Sequence, residues 1–142
     1  MKKLLVAVAI FASATTAFAG GKGGTEVAIA SYGGLGATFA VGIPLNIKFL
    51  AANGLRTYGE LEVGLGMDDN GVNAGAELAG GILVGVGQGL SIYGGLGPAI
   101  GIDAGFGLGA EIGLNIDINN GSIFIEGGTH PDTNYVAVGM RL

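Results

Sequence analysis

Leu35-Gly36-Ala37-Thr38-Phe39-Ala40-Val41-Gly42-Ile43-Pro44-Leu45-Asn46-Ile47-Lys48-Phe49 is the stretch whose reading decides the fold. Every second residue, Leu35, Ala37, Phe39, Val41, Ile43, Leu45, Ile47 and Phe49, is apolar. The residues between them, Gly36, Thr38, Ala40, Gly42, Pro44, Asn46 and Lys48, are small or polar. Alternation at period two, with nothing recurring at the helical period, predicts a β-strand. Its two faces must meet two different surroundings.

The same alternation spreads outward in both directions. Thr25 to Tyr32 is a first strand, turned by Gly33-Gly34. In the third, Leu61, Val63, Leu65 and Met67 oppose Arg56, Tyr58, Glu60 and Glu62. The fourth sets Val72 to Val86 in alternation against Asn73, Glu77 and glycines, and the fifth sets Leu90, Ile92, Leu96, Ile100 and Ile102 against Ser91, Tyr93, Gly95, Gly97 and Asp103. The sixth opposes Phe106, Leu108, Ile112, Leu114 and Ile116 to Glu111, Asn115 and Asp117. Ile123 and Ile125 against Glu126, then Val136, Val138, Met140 and Leu142 against Tyr135 and Arg141, complete eight strands. Gly75-Ala76-Glu77-Leu78 returns as Gly109-Ala110-Glu111-Ile112, and Gly54 to Leu61 is echoed by Gly89 to Leu96. Polar-glycine pairs at Asn53-Gly54, Gln88-Gly89 and Asn120-Gly121 are hairpin signals. The unit is a hairpin, repeated as a meander.

No charged residue falls on the apolar face of any strand, whereas Lys48, Arg56, Glu60, Glu62, Glu77, Glu111, Glu126 and Arg141 share the other. A soluble barrel turns its apolar face inward and needs a large charged surface, near a quarter of all residues. Here 12% are charged, and the polar face is mostly glycine and alanine. Such a face suits the crowded inside of a narrow barrel, with the apolar face toward lipid. The expected fold is all-β: an eight-stranded, antiparallel, up-and-down transmembrane β-barrel with short loops. The spacing of Gly97, Gly101, Gly105, Gly109 and Gly113 also matches a glycine zipper, but Pro98, Asp103 and Glu111 on that helix argue against it. Pro44 and Pro98 are read as local bends. With no Trp, only Tyr32, Tyr58, Tyr93 and Tyr135 supply tyrosines for interfacial girdles.

Met1-Lys2-Lys3, the apolar run Leu4 to Ala12 and Ala17-Phe18-Ala19 have the form of a secretory signal peptide (1–19) cleaved before Gly20. Residues 20–24 are then a flexible lead-in and 25–142 one barrel domain. Without Lys2 and Lys3, four basic residues face eleven acids, a net charge of −7. An acidic chain with no basic patch excludes nucleic acid as a partner. The absence of Cys excludes disulfides, lipoprotein processing and thiolate chemistry.

His130, the only histidine, stands in Gly128-Thr129-His130-Pro131-Asp132 and reads as a loop residue beside a turn-forming proline. With no second His or Cys, no metal ligand set, cofactor site or nucleophile-base pair is expected. Asp68-Asp69-Asn70-Gly71 reads as a turn rather than a calcium loop. Gly105-Phe106-Gly107-Leu108-Gly109 lacks the following helix of a nucleotide fingerprint. The inward ionisable set carries the physical content: Glu60, Glu62, Glu77, Glu111 and Glu126 should pair with Lys48, Arg56 and Arg141, or line a small cation-favouring water path.

On these features the chain resembles the small eight-stranded outer-membrane barrels of Gram-negative bacteria, the OmpX-like proteins and the OmpA transmembrane domain, across Thr25 to Leu142. The terminal Tyr135-Val136-Ala137-Val138-Gly139-Met140-Arg141-Leu142 is similar to the strand those proteins present to the barrel-assembly machinery, with Met140 and Leu142 where aromatics are usual. The resemblance implies outer-membrane lipid as the surroundings, assembly through Tyr135, Val136, Val138, Met140 and Leu142, and both termini in the periplasm. Exterior connections would be Gly33-Gly34, Asp68 to Gly71, Asp103-Ala104 and Gly127 to Asn134, and their shortness argues against adhesion or receptor roles. The function expected is structural, in envelope integrity, without catalysis. A narrow cation-favouring pore and a secreted, soluble, self-associating β-protein are the alternatives.

Overall fold

A computed structural model describes residues 22–142. The stretch expected to be a signal peptide lies outside the described residues. Eight antiparallel strands follow in order: β1 (Gly24–Tyr32), β2 (Leu35–Leu45), β3 (Arg56–Asp68), β4 (Gly71–Gly87), β5 (Leu90–Gly101), β6 (Gly105–Ile118), β7 (Gly121–His130) and β8 (Thr133–Arg141). Each strand pairs with its sequence neighbours, and β1 pairs with β8, from Glu26 opposite Arg141 to Tyr32 opposite Tyr135. The sheet is a closed up-and-down barrel with no free edge.

Alternation places the side chains as expected. Ile29, Leu35, Leu78, Leu96, Phe106, Leu108 and Ile112 point outward, with Phe106 at 81% exposure. Glu60, Glu62, Glu77, Glu111 and Glu126 point into the lumen and are buried. Strands of 9 to 17 residues satisfy the length that a tilted strand needs to cross hydrocarbon. The hydrogen-bond ladders run from one strand to the next around a closed ring, so no strand is left with a bare edge.

The turns fall at two ends. Gly33-Gly34, Asp69-Asn70, Ile102 to Ala104 and Pro131-Asp132 close one end, which we call the loop end. The other holds Lys22, Leu142, Gln88-Gly89, Asn119-Asn120 and the β2–β3 connection. Gly33 and Gly34 have φ of 60° and 142°, so glycine meets the demand of this two-residue reversal. At the β3–β4 turn the Asp68 carboxylate accepts from Asn70 and Gly71 N–H at 2.8 and 3.0 Å, the local bonding of a turn.

Several boundaries differ from expectation. β2 stops at Leu45, and residues 48–51 form a one-turn helix, α1 (Lys48–Ala51). Asn53-Gly54 is therefore not a hairpin turn. Leu55 N–H bonds to Leu50 C=O and Gly54 N–H to Ala51 C=O, with Gly54 at φ 76°, which is the closure of a helix C-terminus on a left-handed glycine. The same polar-glycine pair serves either purpose, and the Leu50-Ala51-Ala52 run before it favours helix. β7 continues to His130 and β8 begins at Thr133, so the last loop is two residues rather than Gly127 to Asn134. The register is the same on both sides of Pro44 (opposite Tyr58) and of Pro98 (opposite Leu108), so neither proline marks a shift, although the β4–β5 pairing skips from Glu77–Ala99 to Gly80–Leu96 at Pro98. The β4–β5 register slips instead at Gly85/Gly87, beside the Gln88-Gly89 turn. Finally, β1 begins at Gly24, and Lys22 of the expected lead-in is fully buried.

Candidate functional site

The four tyrosines build the lumen. Tyr32, Tyr58, Tyr93 and Tyr135 are all at most 3% exposed, so they form no interfacial girdle. Each ring lies against an inward-facing glycine of another strand: Tyr32 on Gly64, Tyr58 on Gly81, Tyr93 on Gly113 and Tyr135 on Gly128. A Cβ at any of the four would collide with the ring. The inward glycines thus make room for aromatic side chains in a narrow bore.

The phenol tips then meet the acids. Tyr58 OH donates to Glu111 Oε1 at 2.5 Å, and Glu126 accepts from Tyr93 at 2.7 Å and from Tyr135 at 3.0 Å. Glu60, Glu62, Glu111 and Glu126 each bring a carboxylate oxygen within 4.8 Å of the others. The cation among them is Lys22, whose Nζ lies 2.5 Å from Glu60, 2.8 Å from Glu111 and 3.2 Å from Glu126. The ammonium also sits 4.4 Å from the Tyr93 ring centroid and 5.0 Å from that of Tyr58. Buried charge is tolerable only when matched and hydrogen-bonded, and Lys22 meets both demands.

Toward the terminal end, Arg141 forms a second group. Its Nε donates to Glu26 Oε1 at 2.7 Å and a terminal nitrogen to Asn115 Oδ1 at 2.6 Å, with Phe124 and Tyr93 flanking the guanidinium. Toward the loop end, His130 forms a third. It is 2% exposed, its Nδ1 lies 2.5 Å from Tyr32 OH, and its Nε2 faces Glu77 at 3.3 Å and Glu62 at 3.5 Å. The reading of His130 as a loop residue is corrected: β7 carries it into the lumen before the chain turns at Pro131.

Of the eight residues expected to share the lumen network, the five glutamates and Arg141 point inward, but Arg141 pairs with Glu26 and the glutamates' ion pairs are to Lys22 and His130. Lys48 does not point inward: it is exposed on α1, because β2 ends three residues earlier. Arg56 opens β3 at the terminal end, exposed, with one bond of 3.3 Å to Ser91 Oγ. Lys22, Glu26 and His130 were missed. Glu26 was legible, since it shares its strand face with Ala28 and Ala30; Lys22, in Gly21-Lys22-Gly23-Gly24, has no strand pattern to reveal it. Among the residues expected to guide assembly, Val136, Val138, Met140 and Leu142 face outward, whereas Tyr135 points inward to Glu126.

Neither a family model nor a curated protein matches the chain. Solved structures do. A designed transmembrane β-barrel superposes with a TM-score of 0.54 at 16% identity, over 84% of this chain and 94% of that one. This chain has the fold of an eight-stranded transmembrane β-barrel. The outer-membrane protein Ail of Yersinia pestis, determined in a phospholipid bilayer nanodisc, is also similar, with a TM-score of 0.45 at 13% identity, over 85% of this chain and all of that one. As a membrane barrel the chain wears its apolar residues outside and its ion pairs inside, and the lumen just described is its one concentration of chemistry among the described residues.

Proposed function

We propose that this protein is a small outer-membrane barrel of a Gram-negative envelope, with a structural role and no catalysis, whose lumen is sealed. The observation that carries the reading is Lys22, fully buried and bound to glutamates from β3, β6 and β7, with tyrosine rings packed around it. Charged and aromatic side chains reaching in from opposite walls fill the bore and tie the strands together, as a rigid scaffold requires. In this reading the barrel is delivered by its signal peptide and inserted by the assembly machinery through its last strand, with outer-membrane lipid around Val136, Val138, Met140 and Leu142.

A narrow cation path is the second reading, favoured by one feature: among the described residues six lumen acids, Glu26, Glu60, Glu62, Glu77, Glu111 and Glu126, face two buried permanent cations, Lys22 and Arg141. Single-channel recording in planar bilayers separates the two. The sealed barrel shows no conductance steps. Steps that shrink in Glu77→Gln would replace it with the pore.

A further inference from the structure

The connection between β2 and β3, at the terminal end, leaves its apolar side chains bare. Phe49 is 77% exposed, and Ile47 beside it is exposed too. They follow directly on Ile43 and Leu45, the last outward-facing residues of β2, so they extend the lipid-facing belt past the end of the strand. The barrel buries none of the side chains of α1, and no side chain caps its N-terminus. A helix this short draws its stability from an apolar surface laid against it.

The distribution of charge says what that surface carries. Among the described residues four side chains bear a permanent positive charge, and Lys22 and Arg141 are buried against lumen glutamates. The other two, Lys48 and Arg56, both belong to this connection, both exposed and without a carboxylate partner among the described residues. Arg56 spends one donor on Ser91 Oγ and keeps the rest of its fork, whose geometry matches a phosphate. It is also the one charged residue lining a cleft of about 610 Å³, whose walls include Pro44, Leu45, Asn46, Ala51 and Leu55. A mostly apolar cleft of that size with a single guanidinium suits an anionic head on an apolar body. Four of the five aspartates, Asp68, Asp69, Asp103 and Asp132, stand away at the loop end. Asp117, at the terminal end, already accepts from Asn115.

We infer that the β2–β3 connection is an interfacial anchor that docks on anionic phospholipid in the leaflet at the terminal end. Ile47 and Phe49 enter the upper part of the acyl layer, and Lys48 and Arg56 meet lipid phosphates. Aromatic and aliphatic side chains beside basic ones are the composition of segments that lie in a membrane interface. The inference rests on the membrane-barrel reading and is independent of whether the lumen conducts.

The test uses protein purified from membranes and reconstituted into vesicles of mixed phosphatidylcholine and phosphatidylglycerol. The chain has no tryptophan, so Phe49→Trp and Ile112→Trp each give a single fluorescent reporter, one at the connection and one in the middle of the belt. Quenching bromines are placed on one lipid class at a time, near the glycerol end or the methyl end of its acyl chains. Phe49→Trp should be quenched more by bromines near the glycerol end, and Ile112→Trp by those near the methyl end. Beside Phe49→Trp, phosphatidylglycerol should be enriched about fivefold over phosphatidylcholine, the pull of one basic side chain at an anionic surface. Adding Lys48→Gln and Arg56→Gln should bring the two classes to equal quenching, as expected for Ile112→Trp throughout. Retained mobility shift on boiling verifies folding; should the charge variant fail to fold, the comparison of lipid classes on Phe49→Trp decides alone. Quenching of Ile112→Trp without quenching of Phe49→Trp would overturn the anchor and leave the membrane barrel standing. Equal quenching of Phe49→Trp by the two classes would overturn the anionic partner. No quenching at either position would overturn the membrane barrel and the anchor with it.

Discussion

Lys22 carries more of the interior than any other single residue. Three carboxylates converge on its ammonium, and two tyrosine rings cap it. Removing one partner of a buried ionic group leaves uncompensated charge, at a cost of about 3–5 kcal/mol. Lys22→Met is therefore expected to lower stability by that order, read as a lower urea midpoint in detergent. Lys22→Arg should recover part of the loss. An unchanged midpoint for Lys22→Met would show that the ammonium contributes nothing net. At this scale little was legible beforehand. The glutamates could be assigned to the lumen by counting residues along strands. Lys22 precedes the first strand, so no counting reaches it; closure of β1 on both β2 and β8 is what brings its side chain into the bore.

At the scale of the strand, the working unit is a tyrosine on one strand seated over a glycine on another. Tyr93 of β5 over Gly113 of β6 is a direct cross-strand pair, as is Tyr135 of β8 over Gly128 of β7. Adding a methyl to a filled interior costs about 1–3 kcal/mol through displaced side chains and backbone. Gly113→Ala should destabilise by that amount, and Tyr93→Ala should relieve the clash, so that the pair is strongly non-additive in a double-mutant cycle. Additive losses would mean that the ring does not rest on Gly113. Glycine content by itself pointed to close packing; which glycine holds which ring depends on register. The Asn53-Gly54 pair makes the same point locally, since a polar-glycine pair ends a helix or reverses a hairpin with equal ease. Here the residues before it decide.

At the scale of the whole molecule, the barrel is a wall between lipid and a charged interior. A cation on the lipid face is penalised by depth, about 2–4 kcal/mol at the bilayer midplane and about 0–1 near its surfaces. Ile112→Arg, at the middle of β6, is expected to lose the larger amount, and Ile102→Arg, at the loop end, the smaller. Refolding into vesicles followed by urea titration reads both. Equal, small losses would mean that the belt faces water, and the barrel would then belong to a soluble assembly. Unboiled wild type from an outer-membrane fraction should migrate apart from the boiled protein on a gel, whereas recovery in the soluble periplasm with no shift would overturn the proposed location.

The sequence by itself determined the secondary structure class, the number of strands, the direction in which nearly every strand residue points, and the outward placement of the apolar face. Period-two alternation encodes these, because a residue's face in a strand depends only on whether its position is odd or even. Tertiary structure alone decided who meets whom inside: Lys22 among Glu60, Glu111 and Glu126, and His130 between Glu62 and Glu77. Those groups come from strands far apart in the chain. Their meeting depends on the stagger of every hairpin between them, and parity carries no record of stagger.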